Sequence, residues 1–371
     1  MADLFNYLEW RGDITLDQVP FNKVDALLFA LVSYNIFDNL VPSDFKTQLS
    51  MNEVLERFRQ APDLEKRKDI GAMINERTYD VFEQAAISLR FCGLTVCGYR
   101  SIIDLENVEQ FAAITFIYKN INYIVYRGTD DTVVGWKEDF NISYLSQIPS
   151  QSDAIKYFEE AASVLKGKFV LIGHSKGGNL VINTAVSCKS KLQKKIHQLY
   201  NFDGPGFSKE FYIKKEYLNI QDRLYSFYPG FSIVGMIFNH PQKFEIVHCD
   251  GFAINQHDPL TWQIKGGDFE HEKDFTSESK FFYRTFNDWV SIIDSEKREK
   301  LVNALFGIIE ASEYKTNKEL VKNRLKASAR MIDAFAKLDK QTKNEIHKMV
   351  RILHQTVKDS IPMLSLINVN K

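Results

Sequence analysis

The sequence predicts an α/β fold: a mostly parallel central sheet with helices before and after it. Three observations carry that prediction. The stretches 112–118 and 121–127 read as strands around Lys119-Asn120, a hairpin signal. Further strand-like runs at 168–172, 198–202, 223–228 and 244–248 alternate with helical patterns, as in a parallel sheet with crossovers. On either side of this block apolar residues recur at helical spacing instead.

Taken in order, residues 1–100 read as a helical N-terminal extension. Asp25 is placed to cap a segment through Tyr34, and Val81, Ala85, Leu89 and Cys92 mark a later helical stripe. Residues 101–270 form the α/β core, with 154–165 as the helix before the strand at 168–172. Residues 271–371 form a C-terminal helical region packed on the core. There Asp294-Ser295 caps a helix through Leu301, Leu305 and Ile308. Val321, Leu325, Ile332, Phe335 and Leu338 mark a second stripe, and 346–357 a third.

Composition excludes several function classes. With 371 residues, 44% hydrophobic and 26% charged, the chain is an ordinary globular protein. A net charge of −1 argues against a nucleic-acid binder. Cys92 and Cys97 lack a matching second pair, so a zinc site is not expected. The opening residues lack the basic and apolar regions of a signal peptide, and the apolar run 26–32 is too short to span a bilayer. A soluble, cytoplasmic protein is expected. Residues 315–371 carry 13 Lys and Arg against 5 Asp and Glu. Such a basic amphipathic end is either a peripheral contact with an anionic membrane or the solvated face of a helical cap.

Gly173-His174-Ser175-Lys176-Gly177 is the motif with chemistry in it. It follows the apolar run 169–172 and opens the helix-like 179–185. A serine between two glycines on a strand-to-helix turn is the nucleophile elbow of an α/β-hydrolase. The turn is too tight for a side chain at either glycine, and the helix aims its free N–H groups where negative charge develops.

The serine needs a base and an acid, in the order Ser, Asp or Glu, His. His257 lies in the polar loop Asn255-Gln256-His257-Asp258-Pro259, where a base is well presented; His240 and His248 fit less well, and His174 should point away from the serine. Asp203, at the end of a strand and the start of Gly204-Pro205-Gly206, is the chosen acid, with Asp222 and Asp258 as rivals. The oxyanion donors are the N–H of Lys176 and Thr129, whose backbone and hydroxyl both qualify. Apolar residues at 227–238, Phe231 and Val234 among them, and Trp262 are candidates for a substrate pocket or lid; the 227–238 set would serve equally as core.

Together, Ile124-Val125-Tyr126-Arg127-Gly128-Thr129, Trp136, Asp139, the serine motif, His257 and Trp262 resemble the class 3 (fungal-type) lipase family and its uncharacterised bacterial lipase-like relatives. The resemblance covers roughly 110–265, and the segments 5–13 and 21–27 are similar to the helical extension of the bacterial group. It implies Ser175 as nucleophile, Thr129 as oxyanion residue, His257 as base, and hydrolysis of an acyl-lipid ester without metal or organic cofactor. Two departures stand out. Lys176 replaces the usual Leu, a cation that either favours an anionic substrate or reaches solvent. Ser232 stands where those lipases place their acid, and 223–244 holds no carboxylate at all. The expected function is therefore a serine esterase acting through an acyl-enzyme. The alternatives are a hydrolase scaffold retained for binding, or a thioesterase.

Overall fold

In the computed structural model, which describes residues 2–72 and 74–358, a nine-stranded sheet runs through the molecule. Its strands are β1 (Leu49–Ser50), β2 (Thr95–Asp104), β3 (Glu109–Tyr118), β4 (Ile121–Tyr126), β5 (Lys168–His174), β6 (Ile196–Phe202), β7 (Leu224–Pro229), β8 (Glu245–Val247) and, at the far edge, His271–Glu272. They lie side by side in chain order. From β4 to β8 every pairing is parallel; β1–β4 and the last strand pair antiparallel. The β3–β4 hairpin turns at Lys119, whose φ is 53°, as the two-residue link requires.

The parallel strands show why a continuous apolar run was needed. Phe169 and Leu171 face one core cluster, Val170 and Ile172 the other. Successive side chains point to opposite faces, so a strand covered on both faces must be apolar throughout. One face carries α6 (Val133–Asn141), α7 (Pro149–Val164) and α8 (Lys176–Ser187), with Tyr157, Phe158, Leu180 and Val181 in the core.

The other face is covered by the N-terminal helices α1 (Leu4–Arg11), α2 (Lys23–Val32), α3 (Met51–Arg59), α4 (Leu64–Lys68) and α5 (Thr78–Ile87). Phe29 of α2 stacks on Phe116 of β3 with ring centroids 4.6 Å apart. The described residues of 2–100 thus pack on the sheet as a layer of the core, and they contain β1 and the start of β2. Asn22, not Asp25, caps α2. Asp25 is the third helical residue of the capping box, and its carboxylate is fully buried against Arg90 Nε at 2.7 Å and the Tyr7 hydroxyl at 2.8 Å. That pairing fastens α1 and the chain before β2 to α2.

After two single-turn helices, α9 (Ser190–Gln193) and α10 (Lys215–Leu218), the C-terminal helices follow: α11 (Ser277–Ile292), α12 (Ser295–Glu310), α13 (Asn317–Lys322), α14 (Arg324–Ala336) and α15 (Lys340–Lys358). Asp294 caps α12, accepting from Lys297 N at 2.9 Å. Val302 and Phe306 of α12 pack on Val133 of α6. The stripe expected from 321 to 338 is divided. Phe335 and Leu338 pack inward, while Val321, Leu325 and Ile332 are exposed on another face. Of the basic stretch, 359–371 lies outside the described residues. Among the described residues no helix is long and apolar enough to cross a membrane.

Candidate active site

Every candidate catalytic residue sits at the C-terminal edge of the parallel strands, where α/β sheets gather their chemistry. β5 ends at His174, and Ser175 follows with φ 56° and ψ −131°. A non-glycine residue is rarely held there, and the backbone is strained accordingly. The flanking glycines show what enforces it. A Cβ on Gly173 would stand 2.1 Å from the Gly177 carbonyl oxygen, and one on Gly177 2.1 Å from that of Tyr126. The Ser175 N–H donates to the Phe202 carbonyl at 2.8 Å, which locks the elbow to β6.

β6 ends at Phe202, and Asp203 turns out of the strand with φ 49°. Its carboxylate is fully buried, and Oδ2 accepts from His257 Nδ1–H at 2.6 Å. With Nδ1 protonated, Nε2 is the free, basic nitrogen of His257. The other oxygen, Oδ1, accepts from Ser232 Oγ at 2.6 Å. The position left without a carboxylate and the aspartate one strand earlier therefore meet in space, with Ser232 holding Asp203. The two rival acids are engaged elsewhere. Asp222 makes an exposed ion pair with Lys243 at 2.7 Å, and Asp258 accepts from Asn75 at 2.7 Å and from Leu260 N at 3.0 Å.

His174 does not simply turn away. Its Nε2–H donates to the His257 carbonyl at 2.8 Å, its Nδ1 accepts from the Tyr34 hydroxyl at 3.0 Å, and its ring centroid lies 4.5 Å from that of His257. Burial holds its pKa well below the usual histidine range, which keeps it neutral and suits it to this donor–acceptor role. His174, the residue before Ser175, thus moors the loop that carries His257. Trp262 moors the same loop from beneath: it is fully buried against Phe202 and Phe269, and its indole N–H donates to the Gln256 carbonyl at 2.9 Å. It is a support for His257 and not a pocket wall, because an indole sealed in the core cannot meet a substrate. Phe227, Tyr228 and Phe231 are likewise core, whereas Ile233, Val234, Ile237 and Phe238 are half-buried; Ile233 and Ile237 pack on the cluster around Met236, and Val234 lies next to Gly235, which abuts Asp203.

The loop after β4 carries the candidate oxyanion residue Thr129. A Cβ on Gly128 would lie 3.0 Å from that of Ser175, so this backbone rests directly on Ser175. The Thr129 hydroxyl donates to Asp139 Oδ2 at 2.5 Å. That leaves the Thr129 backbone N–H, rather than both groups, as the donor available from this residue. Burial raises the Asp139 pKa to about 6 against the pull of Lys176. Lys176 opens α8, where an N–H has no helical acceptor. Its side chain neither reaches solvent nor faces a substrate. The ammonium is fully buried 2.8 Å from Glu138 Oε2 and 2.7 Å from the Gln110 carbonyl. A long cation at this position is accommodated because α6 supplies a buried carboxylate to meet it.

Among the described residues one group of side chains has cation-ligand chemistry, Glu245, Asp268 and His271. Lys23 Nζ already lies 3.0 Å and 2.7 Å from its two carboxylates, so a protein ammonium fills that role.

A parallel sheet with a strained serine elbow, and an aspartate–imidazole pair at the same edge, defines a lipase-like α/β-hydrolase. Within that class the chain belongs to the Mbeg1-like family, whose model matches residues 85–307, more than half of its 371 residues. Several solved structures are similar to it at low identity. M37 lipase is 15% identical with a TM-score of 0.33, over 59% of this chain and 70% of that one. A mutant of MDLA from Penicillium cyclopium is 14% identical with a TM-score of 0.38, over 72% and 85%. A Rhizomucor miehei lipase in complex with its propeptide is 15% identical with a TM-score of 0.32, over 52% and 65%. No curated protein matches the chain.

Proposed function

We propose that the protein is a serine esterase that cleaves a carboxylic ester of an acyl lipid or a small acyl ester. The observation that carries this reading is the 2.6 Å Asp203–His257 pair, moored by His174 next to the Ser175 elbow. Ser175 Oγ attacks the acyl carbonyl carbon while His257 Nε2 takes its proton. The backbone N–H groups of Lys176 and Thr129 stabilise the tetrahedral oxyanion. Collapse of that intermediate returns the proton to the departing alcohol and leaves an acyl-enzyme. Water, deprotonated by the same histidine, attacks the acyl carbon and releases the acid and Ser175. Val234 is the candidate from the 231–238 segment for contact with the acyl chain.

A fluorophosphonate probe tests the reading. Labelling of the native chain that disappears in Ser175→Ala is the expected result; no labelling of well-folded protein overturns it in favour of a scaffold kept for binding. p-Nitrophenyl esters of graded chain length, beside the matching thioesters, then fix the acyl preference.

A further inference from the structure

The chain leaves the rim of this site along an unusual helix pair. Val133 N–H donates to the Lys315 carbonyl, Asn317 N–H to the Asp131 carbonyl and Lys318 N–H to Asp131 Oδ2, each at 2.9 Å. Asp131 stands two residues after Thr129, so α13 starts at the oxyanion loop.

From there the helices carry large apolar side chains in water. Val321 is 66% exposed, Leu325 84% and Ile332 68%. At 100° per residue, Leu325, Ala329, Ile332 and Ala336 share one face of α14. The opposite face holds Met331, Ala334 and Phe335, which pack on Leu301, Ile308 and Ile346. The helix therefore has an apolar face for the protein and a second one that has no partner among the described residues. Each large side chain on it forgoes about 1.5–3 kcal/mol of burial.

Charge distinguishes the occupants of that face. Residues 315–337 hold seven Lys and Arg against two acidic residues, a balance of +5 in a chain whose total is −1. Among the described residues Lys322, Arg324 and Lys326 have no carboxylate within 4 Å. A second copy meeting it through the same face would bring +5 against +5. An anionic surface with an apolar layer beneath its charges fits both features: the stripe enters the layer and the lysines and arginines meet the headgroups.

We propose that α13 and α14 form an in-plane docking surface for an anionic lipid membrane, held against the loop that carries Thr129. The docking does not depend on the esterase reading; that reading supplies its purpose, delivery of an acyl lipid to Ser175.

The test is co-sedimentation of the full chain with vesicles of phosphatidylcholine, with and without phosphatidylglycerol. Binding is expected only with phosphatidylglycerol, weakening as salt rises. The Lys322→Gln/Arg324→Gln/Lys326→Gln variant should bind about a hundredfold more weakly, at roughly 1 kcal/mol per cation. Leu325→Asp/Ile332→Asp should also lose binding, yet hydrolyse a short soluble ester at the native rate. No binding to anionic vesicles, equal binding to neutral ones, or native binding by both variants overturns the proposal. So does a dimer in light scattering that Leu325→Asp/Ile332→Asp dissociates, which assigns the stripe to a second copy. Loss of soluble-ester turnover in Ser175→Ala is read separately, so the two proposals fail independently.

Discussion

Lys176→Met probes the buried charge pair beneath the elbow. Both side chains of the Lys176–Glu138 pair are 0% exposed, so solvent cannot take the place of a lost partner. As a whole such a pair adds little stability, because desolvating two charges costs about what their attraction returns. Removing one member strands the other, at about 3–5 kcal/mol. Glu138 would keep two backbone donors, Gln110 N at 3.0 Å and Ser150 N at 2.8 Å. These place the cost at the lower end, about 3 kcal/mol, within a total that is typically about 5–15 kcal/mol. Equilibrium urea unfolding at neutral pH should show a lower midpoint with an unchanged slope. Lys176→Met/Glu138→Gln removes both charges and should be clearly more stable than the sum of the single losses implies. A single substitution costing under about 1 kcal/mol, or a double variant whose losses simply add, would refute this account of how α8 accepts a lysine.

Three more outcomes follow from the geometry. Asp203→Asn should lower turnover of a soluble ester by about 10³–10⁴-fold with folding intact, while Asp222→Asn, in an exposed pair, should leave it unchanged; the reverse order would remove Asp203 as the acid. Ser232→Ala takes away a hydrogen bond to a buried carboxylate and should cost about 1.5–3 kcal/mol of stability, read by thermal unfolding; a change of less than a few tenths would deny that contact any weight. Asp139, raised to about 6, holds its proton more tightly folded than unfolded, where its pKa is about 3.9. Its contribution to stability is thus fully present below about pH 4 and is lost as pH rises through about 6, by at most about 3 kcal/mol and less for a side chain 26% exposed. Asp139→Asn should flatten that part of the urea-midpoint profile, and an unchanged profile would count against a raised pKa.

Local signals in the sequence carried far. The elbow, the hairpin at Lys119-Asn120, the run of parallel strands and the Asp294 cap depend on neighbours a few residues apart, and they are where the pattern put them. Asp203 and His257 were legible as loop residues after strands, and the structure brings them to hydrogen-bond distance. What stayed hidden is non-local. Periodicity says that a helix has an apolar face and not what that face covers, so the N-terminal helices read as an extension although Phe29 stacks on the sheet. Either residue of an Asn22-x-x-Asp25 box passes for the cap until Arg90 is seen to draw the aspartate inward. Lys176 looked like a surface or substrate cation because Glu138 lies 38 residues away in sequence. Ser232 looked like a gap in the machinery because only the fold brings it to Asp203. The exposure of Leu325 beside the inward packing of the half-buried Phe335 is likewise a matter of which side of α14 meets α12.

The chain of contacts from Tyr34 through His174 to the His257 backbone has a practical corollary. Tyr34, and Asn75 on the Asp258 carboxylate, both precede residue 85, where the recognised family segment begins. An expression fragment trimmed to that segment would retain the serine, the aspartate and the histidine yet lose two of the struts that hold the histidine in place. The boundary of the shared segment cuts across the contacts that position His257.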